Sequence, residues 1–207
     1  MCPSCEQVYR SKSVICWLDG AGKVWSDGYR AHDVAHEYPL ITRCDECYGY
    51  FWISSVHKFN NRGTQMNKFA LNHQLTPGSN KFPSVRKLTP EEYAEVLAIK
   101  KYHDPDEELY LRTHLWWTIN TPLRDGIQEE IAPELKELFE ENLETLIYKT
   151  PLNGAESQLT LAEIHRELGL FKQAEKHLDK VTDPNYEQFL LKMRQRIEIS
   201  DRRVFLI

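Results

Sequence analysis

Apolar and polar positions divide the chain into a first part with strand-like patterns and a last part with helical ones. Aromatic and β-branched residues cluster in VYRSKSVICWL, KVWSDGYR and YGYFWISSVHKF, all within residues 1–60. The Gly and Asp residues of DGAGK and SDG separate these clusters in the manner that closes β-hairpins. We therefore expect residues 1–60 to form a small module of short strands.

Helical patterns begin after residue 88. Thr89 is expected to cap a first helix, because Pro90 and two glutamates follow it in the first turn. A second helix is expected over 107–119, ending near Pro122, and a third over 134–149, where apolar residues recur at helical spacing. The chain is thus expected to combine a β module with an α-helical one, an α+β fold.

Two further helical segments are expected to form a hairpin near the end of the chain. They cover residues 156–168 and 171–181, and Gly169 between them suits a left-handed helix end. A last helix is expected to begin near Pro184 and to continue to about Ser200.

The stretch between the two parts has its own charge balance. Residues 61–88 hold five Lys/Arg and no Asp/Glu, whereas residues 89–207 hold fifteen Lys/Arg against twenty-four Asp/Glu. Residues 61–88 show no regular periodicity, so we interpret them as a basic connector between a module at 1–60 and a helical module at 89–207. The connector either forms a nucleic-acid footprint or packs on the acidic helices.

Composition is that of an ordinary soluble protein. The 207 residues are 41% hydrophobic and 28% charged, and no apolar run reaches the length that spans a bilayer. The N-terminus also lacks a basic segment followed by an apolar core. We therefore expect a cytoplasmic protein without a membrane partner.

Two Cys-x-x-Cys motifs are the clearest chemical signal. Cys2 and Cys5 form the first pair, and Cys44 and Cys47 form the second. Disulfides are rare in a reducing cytoplasm, so two matched pairs favour a metal site. Four thiolates suit a tetrahedral Zn²⁺ ion of structural type, because no position stays open for water; iron and a redox dithiol are the rival interpretations.

The pairs, with strands between them, resemble a zinc ribbon over about the first fifty-five residues. CPSC is close to the metal-binding turn of that family, although Glu6 and Tyr48-Gly49 stand where the family usually has a glycine after the second cysteine. The resemblance implies a zinc-stabilised β module. Zinc ribbons often bind nucleic acid, but residues 1–60 are not basic.

Three other candidates favour ordinary structural roles. His32 and His36 would share one face of a helix, but a polar loop is the preferred interpretation because Pro39 follows closely. Cys16 stands between apolar residues, so we expect a buried and inert thiol. Trp116 and Trp117 point in different directions on a helix, so one ring is expected in the helical core and the other toward the N-terminal module or a partner.

The stretch AESQLTLAEIHRELGLFKQAEKHLDKVTDP resembles a tetratricopeptide repeat. His165 and Val181 depart from the family pattern, and one repeat cannot bury its own apolar faces without neighbouring helices. The resemblance implies a protein-binding surface. The residues that carry it are Leu161, Ala162, Gly169, Ala174, Leu178 and Pro184.

The whole arrangement, an N-terminal ribbon with VWSDGYR and FWI, then LR…WW…N and a repeat-like end, also looks similar to uncharacterised bacterial proteins, and this similarity implies no activity. Our favoured function is a non-enzymatic, zinc-binding adaptor or scaffold with a protein partner. The first alternative is a nucleic-acid-associated regulator that uses the ribbon and the connector. The second is an enzyme whose site lies between the modules, around His32, His36 and the connector.

Overall fold

The structure, a computed structural model, describes residues 1–10, 22–31, 39–55 and 82–207. The chain forms two compact units, one of Met1–Leu18 with Val34–Leu88 and one of Asp19–Asp33 with Thr89–Ile207. We name the described residues of the first the cysteine unit and those of the second the helical unit. Short antiparallel strands near the N-terminus and helices after residue 89 confirm the predicted α+β class.

The cysteine unit is built on one short antiparallel sheet. Strand β3 (Ile41–Arg43) pairs with β4 (Tyr50–Trp52), and Thr42 stands opposite Phe51. A 3₁₀ turn at Ile53–Ser55 follows β4 directly. All three β4 side chains are buried, since a strand this short cannot leave one face to solvent and still form a core.

Residues 82–88, the described end of the basic connector, belong to the cysteine unit. Ser84 forms a parallel bridge with Arg10, and the Thr42 hydroxyl donates to the Arg86 carbonyl at 3.0 Å. This part of the connector is therefore tied to the sheet by its backbone. The remaining connector residues, 61–81, lie outside the described part of the chain.

Strands β1 and β2 lie with the helices rather than with the cysteines. Lys23–Val24 and Arg30–Ala31 form a hairpin around Ser26-Asp27-Gly28, as KVWSDGYR predicts. Trp25 bridges Leu206 near the C-terminus, and the Ile207 N–H donates to the Val24 carbonyl at 2.9 Å. A boundary at residue 60 therefore does not separate the units, because the hairpin finds its backbone partners at the other end of the chain.

The helical unit holds the six α-helices of the described residues. The capping box predicted at Thr89 is present: its side chain accepts from the Glu92 N–H, and the Glu92 carboxylate accepts from the Thr89 N–H. The helices are α1 (Pro90–Ala98), α2 (Pro105–Arg124), α3 (Pro133–Lys149), α4 (Gly154–Glu167), α5 (Phe171–Leu178) and α6 (Glu187–Glu198).

Helix α2 extends beyond its predicted end. Pro122 was expected to stop it, but the helix runs to Arg124 with Pro122 inside its last turn. The proline removes one backbone N–H donor, whereas the Asp125 N–H still reaches the Thr121 carbonyl at 3.0 Å. The extra turn places Arg124 in the buried part of the unit.

Helices α4, α5 and α6 share one apolar cluster. Gly169 adopts a left-handed φ of +78° between α4 and α5, as expected for the turn of this hairpin. Ala162 and Ala174 are both fully buried, so small residues occupy the contact between the two helices. Met193 and Ile197 of α6 pack in the same cluster and cover the apolar face that the hairpin leaves open.

Among the described residues, none of the helices combines the length and the apolar character that crossing a membrane requires.

Candidate metal centre

Two backbone turns of the same kind carry the cysteine pairs. In the first turn the Glu6 N–H donates to the Cys2 carbonyl at 3.0 Å, and the Cys2 N–H donates to the Gln7 carbonyl at 2.8 Å. In the second the Tyr48 N–H donates to the Cys44 carbonyl at 3.0 Å, with an equivalent outer bond of 2.9 Å to Gly49. Each Cys-x-x-Cys segment is thus closed by its own backbone, which holds both thiols on one side.

Both turns require a left-handed residue immediately after the second cysteine. Glu6 has φ of 62° and Tyr48 has φ of 59°, a region that non-glycine residues enter at a cost. The residues that depart from the zinc-ribbon pattern therefore still adopt the conformation for which glycine is usual. The backbone of the turns matches this pattern although the residue types do not.

The four sulfur atoms converge on one point. All lie within 4.8 Å of one another, and the Cys2–Cys47 and Cys5–Cys44 sulfurs are 3.6 and 3.5 Å apart. Thiolates bound about 2.3 Å from one tetrahedral ion lie about 3.8 Å from each other. The cluster therefore has the size and the soft donor set that fit a single metal ion.

Tyr9 makes contacts around the sulfur cluster. Its hydroxyl donates to the Cys44 sulfur at 3.3 Å and accepts from the Asp45 N–H at 2.6 Å. Its ring packs at 5.9 Å from that of Phe51 in β4. A side chain fixed at both ends orients the Cys44 sulfur, the role that outer-shell groups have at metal sites.

The thiols of the cluster differ in acidity. Burial of Cys44 favours the neutral thiol, but donors from the Cys47 backbone and the Tyr9 hydroxyl outweigh it and lower the pKa to about 6. The Gln7 N–H stabilises the thiolate of Cys5, whereas burial and the neighbouring thiols disfavour it and raise the pKa to about 12. Without a cation the cluster therefore resists complete deprotonation, because four negative sulfurs this close repel one another.

The remaining sequence candidates fall elsewhere. Cys16, His32 and His36 lie outside the described residues, and so does the predicted enzyme site around the two histidines. Trp116 is buried in the helical unit, as expected for one of the two rings. Trp117 packs edge-on against Tyr29 of the hairpin, with ring centres 5.6 Å apart.

Comparison with models of known protein families, with curated proteins and with solved structures finds no match to this chain.

A buried polar cluster in the helical unit escaped the sequence analysis. It contains two ion pairs, Arg124 with Asp27 and Arg166 with Glu163, whose side chains are at most 3% exposed. Between them lies the carboxylate of Glu167, which accepts from the Trp116 indole at 2.9 Å and from the Asn120 amide at 3.1 Å. Burying this many charges is costly unless they are paired, so the cluster calls for a physical explanation.

Burial has clear electrostatic consequences in this cluster. It raises the pKa of Glu167 well above the ordinary value, repulsion from Glu163 adds to the shift, and attraction to Arg166 opposes it. It also raises the pKa of Asp27, against the lowering effect of Arg124. The sequence does not predict this cluster, because the pattern of EIHRE in α4 is typical of a solvent-exposed helix face. In the structure the hairpin and the C-terminal segment cover this face.

Proposed function

We propose that Cys2, Cys5, Cys44 and Cys47 bind one structural zinc ion, and that the protein is a non-enzymatic adaptor whose helical unit binds another protein. The observation that carries the metal site is the convergence of the four sulfurs to within 4.8 Å. Four thiolate ligands leave no position for water, so the ion would stabilise the cysteine unit rather than activate a substrate.

Zinc is favoured over iron by its frequency in closed thiolate sites, and the test distinguishes the two metals. Elemental analysis of the purified full chain should find zinc at one equivalent. Replacement by Co²⁺ should give the intense visible absorption of a tetrahedral thiolate site. Iron in the purified chain would overturn the choice of metal, and the absence of any bound metal would overturn the site.

Single cysteine variants supply the matched comparison. Cys44→Ser should lose the bound metal and lower the unfolding temperature of the cysteine unit, while the helical circular dichroism signal persists. Cys16→Ser removes the thiol outside the two pairs and should retain one equivalent of metal. Retention of metal at full affinity by Cys44→Ser would contradict the four-cysteine site.

Exposed apolar side chains at the end of α3 support the adaptor role. Tyr148, in the last turn of α3, is 88% exposed, and Leu152, three residues after the end of the helix, is 73% exposed. Large apolar side chains this exposed are candidates for contact with another protein. The resemblance of α4 and α5 to a tetratricopeptide hairpin favours the same role.

A comparison of variants tests this role. The full chain should be purified from its native cell alongside the Tyr148→Glu/Leu152→Glu double variant and Leu191→Glu, a control that changes a 59% exposed leucine of α6. A partner recovered with the wild type and with Leu191→Glu, but lost with the double variant, is the expected result. Equal recovery with all three proteins would place the contact elsewhere.

The nucleic-acid alternative receives little support from the described residues. Arg86 lies 3.7 Å from the Asp45 carboxylate, and the Arg10 guanidinium donates to the Phe82 carbonyl at 2.7 Å. These cations already have protein partners, which reduces what they contribute to phosphate binding. Salt-dependent binding of single-stranded nucleic acid, weakened by charge reversal at Lys81, Arg86 and Lys87, would nevertheless favour this alternative over the adaptor.

A further inference from the structure

A cleft of about 480 Å³ lies in the helical unit, which does not contain the four cysteines of the proposed zinc site. Asn120 of α2 and Glu167 of α4 line it, together with Phe139 of α3 and the segment Ser200–Arg203. This volume lies within the range of about 300–1,000 Å³ that small-molecule sites occupy. Polar side chains from three helices and the C-terminal segment therefore converge on one concave space.

Asn120 carries a polar atom that its surroundings leave unsatisfied. Its side-chain nitrogen donates to the carboxylates of Asp27 and Glu167 at 3.2 and 3.1 Å. Its oxygen, Oδ1, is buried and has no hydrogen-bond partner among the described residues. Leaving a buried acceptor unpaired is unfavourable, so this oxygen is suited to accept a hydrogen bond from a ligand in the cleft.

The buried charges beside Asn120 do not balance. Asp27 is paired with Arg124, and Glu163 is paired with Arg166. Glu167 accepts from the neutral donors Trp116 and Asn120 and shares a hydrogen bond with the Glu163 carboxyl, and burial raises its pKa, which favours its protonated form. The cluster therefore holds three carboxyl groups against two guanidinium groups, and without a further cation the third carboxyl, that of Glu167, keeps its proton.

The rim of the cleft carries the same excess. Of its charged side chains, Arg203 pairs with Asp201 at 3.0 Å, and Arg202 pairs with Glu140 at 3.4 Å. The other charged residues of the rim are Glu129, Glu130 and Lys136. Five acidic and three basic residues line the cleft, and this balance favours a positively charged ligand.

We propose that this cleft binds a small organic cation, an ammonium or guanidinium group, which donates an N–H to Asn120 Oδ1 and places its charge beside Glu167. The nitrogen of the Asn120 amide contacts the Glu167 carboxyl, so a cation bound to Oδ1 lies one amide group away from that carboxyl. Such a ligand satisfies the unpaired oxygen and, as Glu167 releases its proton, supplies the positive charge that the third carboxyl group lacks. An anionic ligand satisfies neither.

Calorimetric titration of the full metal-bound chain with four probes of similar length tests the charge requirement. Pentylammonium and butylguanidinium should bind at millimolar concentrations, whereas pentanoate and 1-pentanol should not. Pentyltrimethylammonium keeps the charge but has no N–H donor, and it should bind about tenfold more weakly than pentylammonium if the bond to Oδ1 forms. Binding of neither cation, or equal binding of pentanoate, would overturn the proposal.

Three variants locate the site. Glu167→Gln keeps the side-chain shape and should weaken binding of pentylammonium by about tenfold or more. The double variant Glu129→Gln/Glu130→Gln changes two exposed residues and leaves the core unchanged. It should weaken binding of pentylammonium about threefold, because the rim loses negative charge. Glu175→Gln, an exposed control in α5, should bind as the wild type does. Unchanged affinity in both the Glu167 and the rim variants would overturn the proposal.

Discussion

The Ser26 hydroxyl donates to the Glu163 carboxylate at 2.5 Å and joins two residues that are 137 positions apart in the chain. The same hydroxyl accepts the Phe205 N–H at 3.0 Å. One small side chain in a β-turn thus links the hairpin, α4 and the C-terminal segment. Because all of these atoms are buried, water cannot replace either bond.

Ser26→Ala is expected to destabilise the helical unit. It removes one donor to Glu163 and the acceptor of the Phe205 N–H, and the unpaired buried groups should cost about 1–3 kcal/mol. Urea unfolding followed by helical circular dichroism measures the change, and faster amide exchange at Phe205 locates it. Ser157→Ala, which changes a partly exposed serine of α4, is the control; equal stability of the two variants would contradict the role of Ser26.

Arg166→Met is expected to be among the most damaging substitutions in the helical unit. It leaves the Glu163 carboxylate buried without its cation, and breaking such a pair costs about 3–5 kcal/mol. Arg194→Met breaks the pair with Asp179, whose side chains are 44% and 66% exposed, and should cost about 0–1 kcal/mol. Chemical denaturation of both variants measures the difference. Similar losses in the free energy of unfolding would show that burial does not make the Arg166–Glu163 pair more important for stability.

Tyr9→Phe should weaken metal binding without removing any sulfur. It deletes the hydroxyl that bridges Cys44 and the Asp45 N–H but keeps the ring that packs on Phe51. Loss of an outer-shell group typically lowers metal affinity about 10–100-fold. Competition with a chromophoric chelator measures the affinity, and Tyr48→Phe, an exposed tyrosine of the second turn, supplies the control. Equal affinities in the two variants would contradict the contact.

His177 should make the protein less stable in mild acid. Burial lowers its pKa to about 4, and electrostatic interactions with His165 and Lys180 reinforce the shift. Between pH 6.5 and 4 the unfolded chain takes up this proton and the folded chain does not, so stability falls as the pH falls through that window. Below about pH 4 both states are protonated, and this contribution becomes constant.

Two measurements check the behaviour of His177. Its ring proton resonances should titrate with a midpoint near pH 4, well below the ordinary histidine value. His177→Gln should show a smaller loss of stability between pH 6.5 and 4 than the wild type. An ordinary midpoint in the folded protein would show that burial and the stack on His165, with ring centres 5.0 Å apart, do not act on this group.

Local sequence signals predicted the helices well. Thr89 and Gly169 act through their immediate neighbours, so their consequences follow from a few residues of chain. The last helix was expected to begin near Pro184, but a 3₁₀ turn covers Pro184–Tyr186 and α6 begins at Glu187. The end of α2 was placed too early at Pro122, because a proline in the last turn removes one bond but does not force the helix to stop. The cysteine spacing likewise identified the sulfurs that the structure brings together.

The hairpin of residues 22–31 shows where local reasoning was insufficient. Its turn was predicted from KVWSDGYR, but its position with the helices depends on Trp25 pairing near Leu206 and on Ser26 reaching Glu163. These partners lie far away in sequence, and no local pattern encodes them. The cleft beside Asn120 and Glu167 was missed for the same reason.

The sequence by itself determined where helices begin and where the chain turns between them, which four thiols come together, and that strands precede helices. Those properties depend on backbone preferences and on spacing within a few residues. Only the tertiary structure decided that the hairpin and the C-terminus cover α4, and that Glu163, Arg166 and Glu167 are buried. Burial arises from contacts between distant segments, which enclose ionisable side chains that an isolated helix would expose to water and leave three carboxyl groups beside two guanidinium groups.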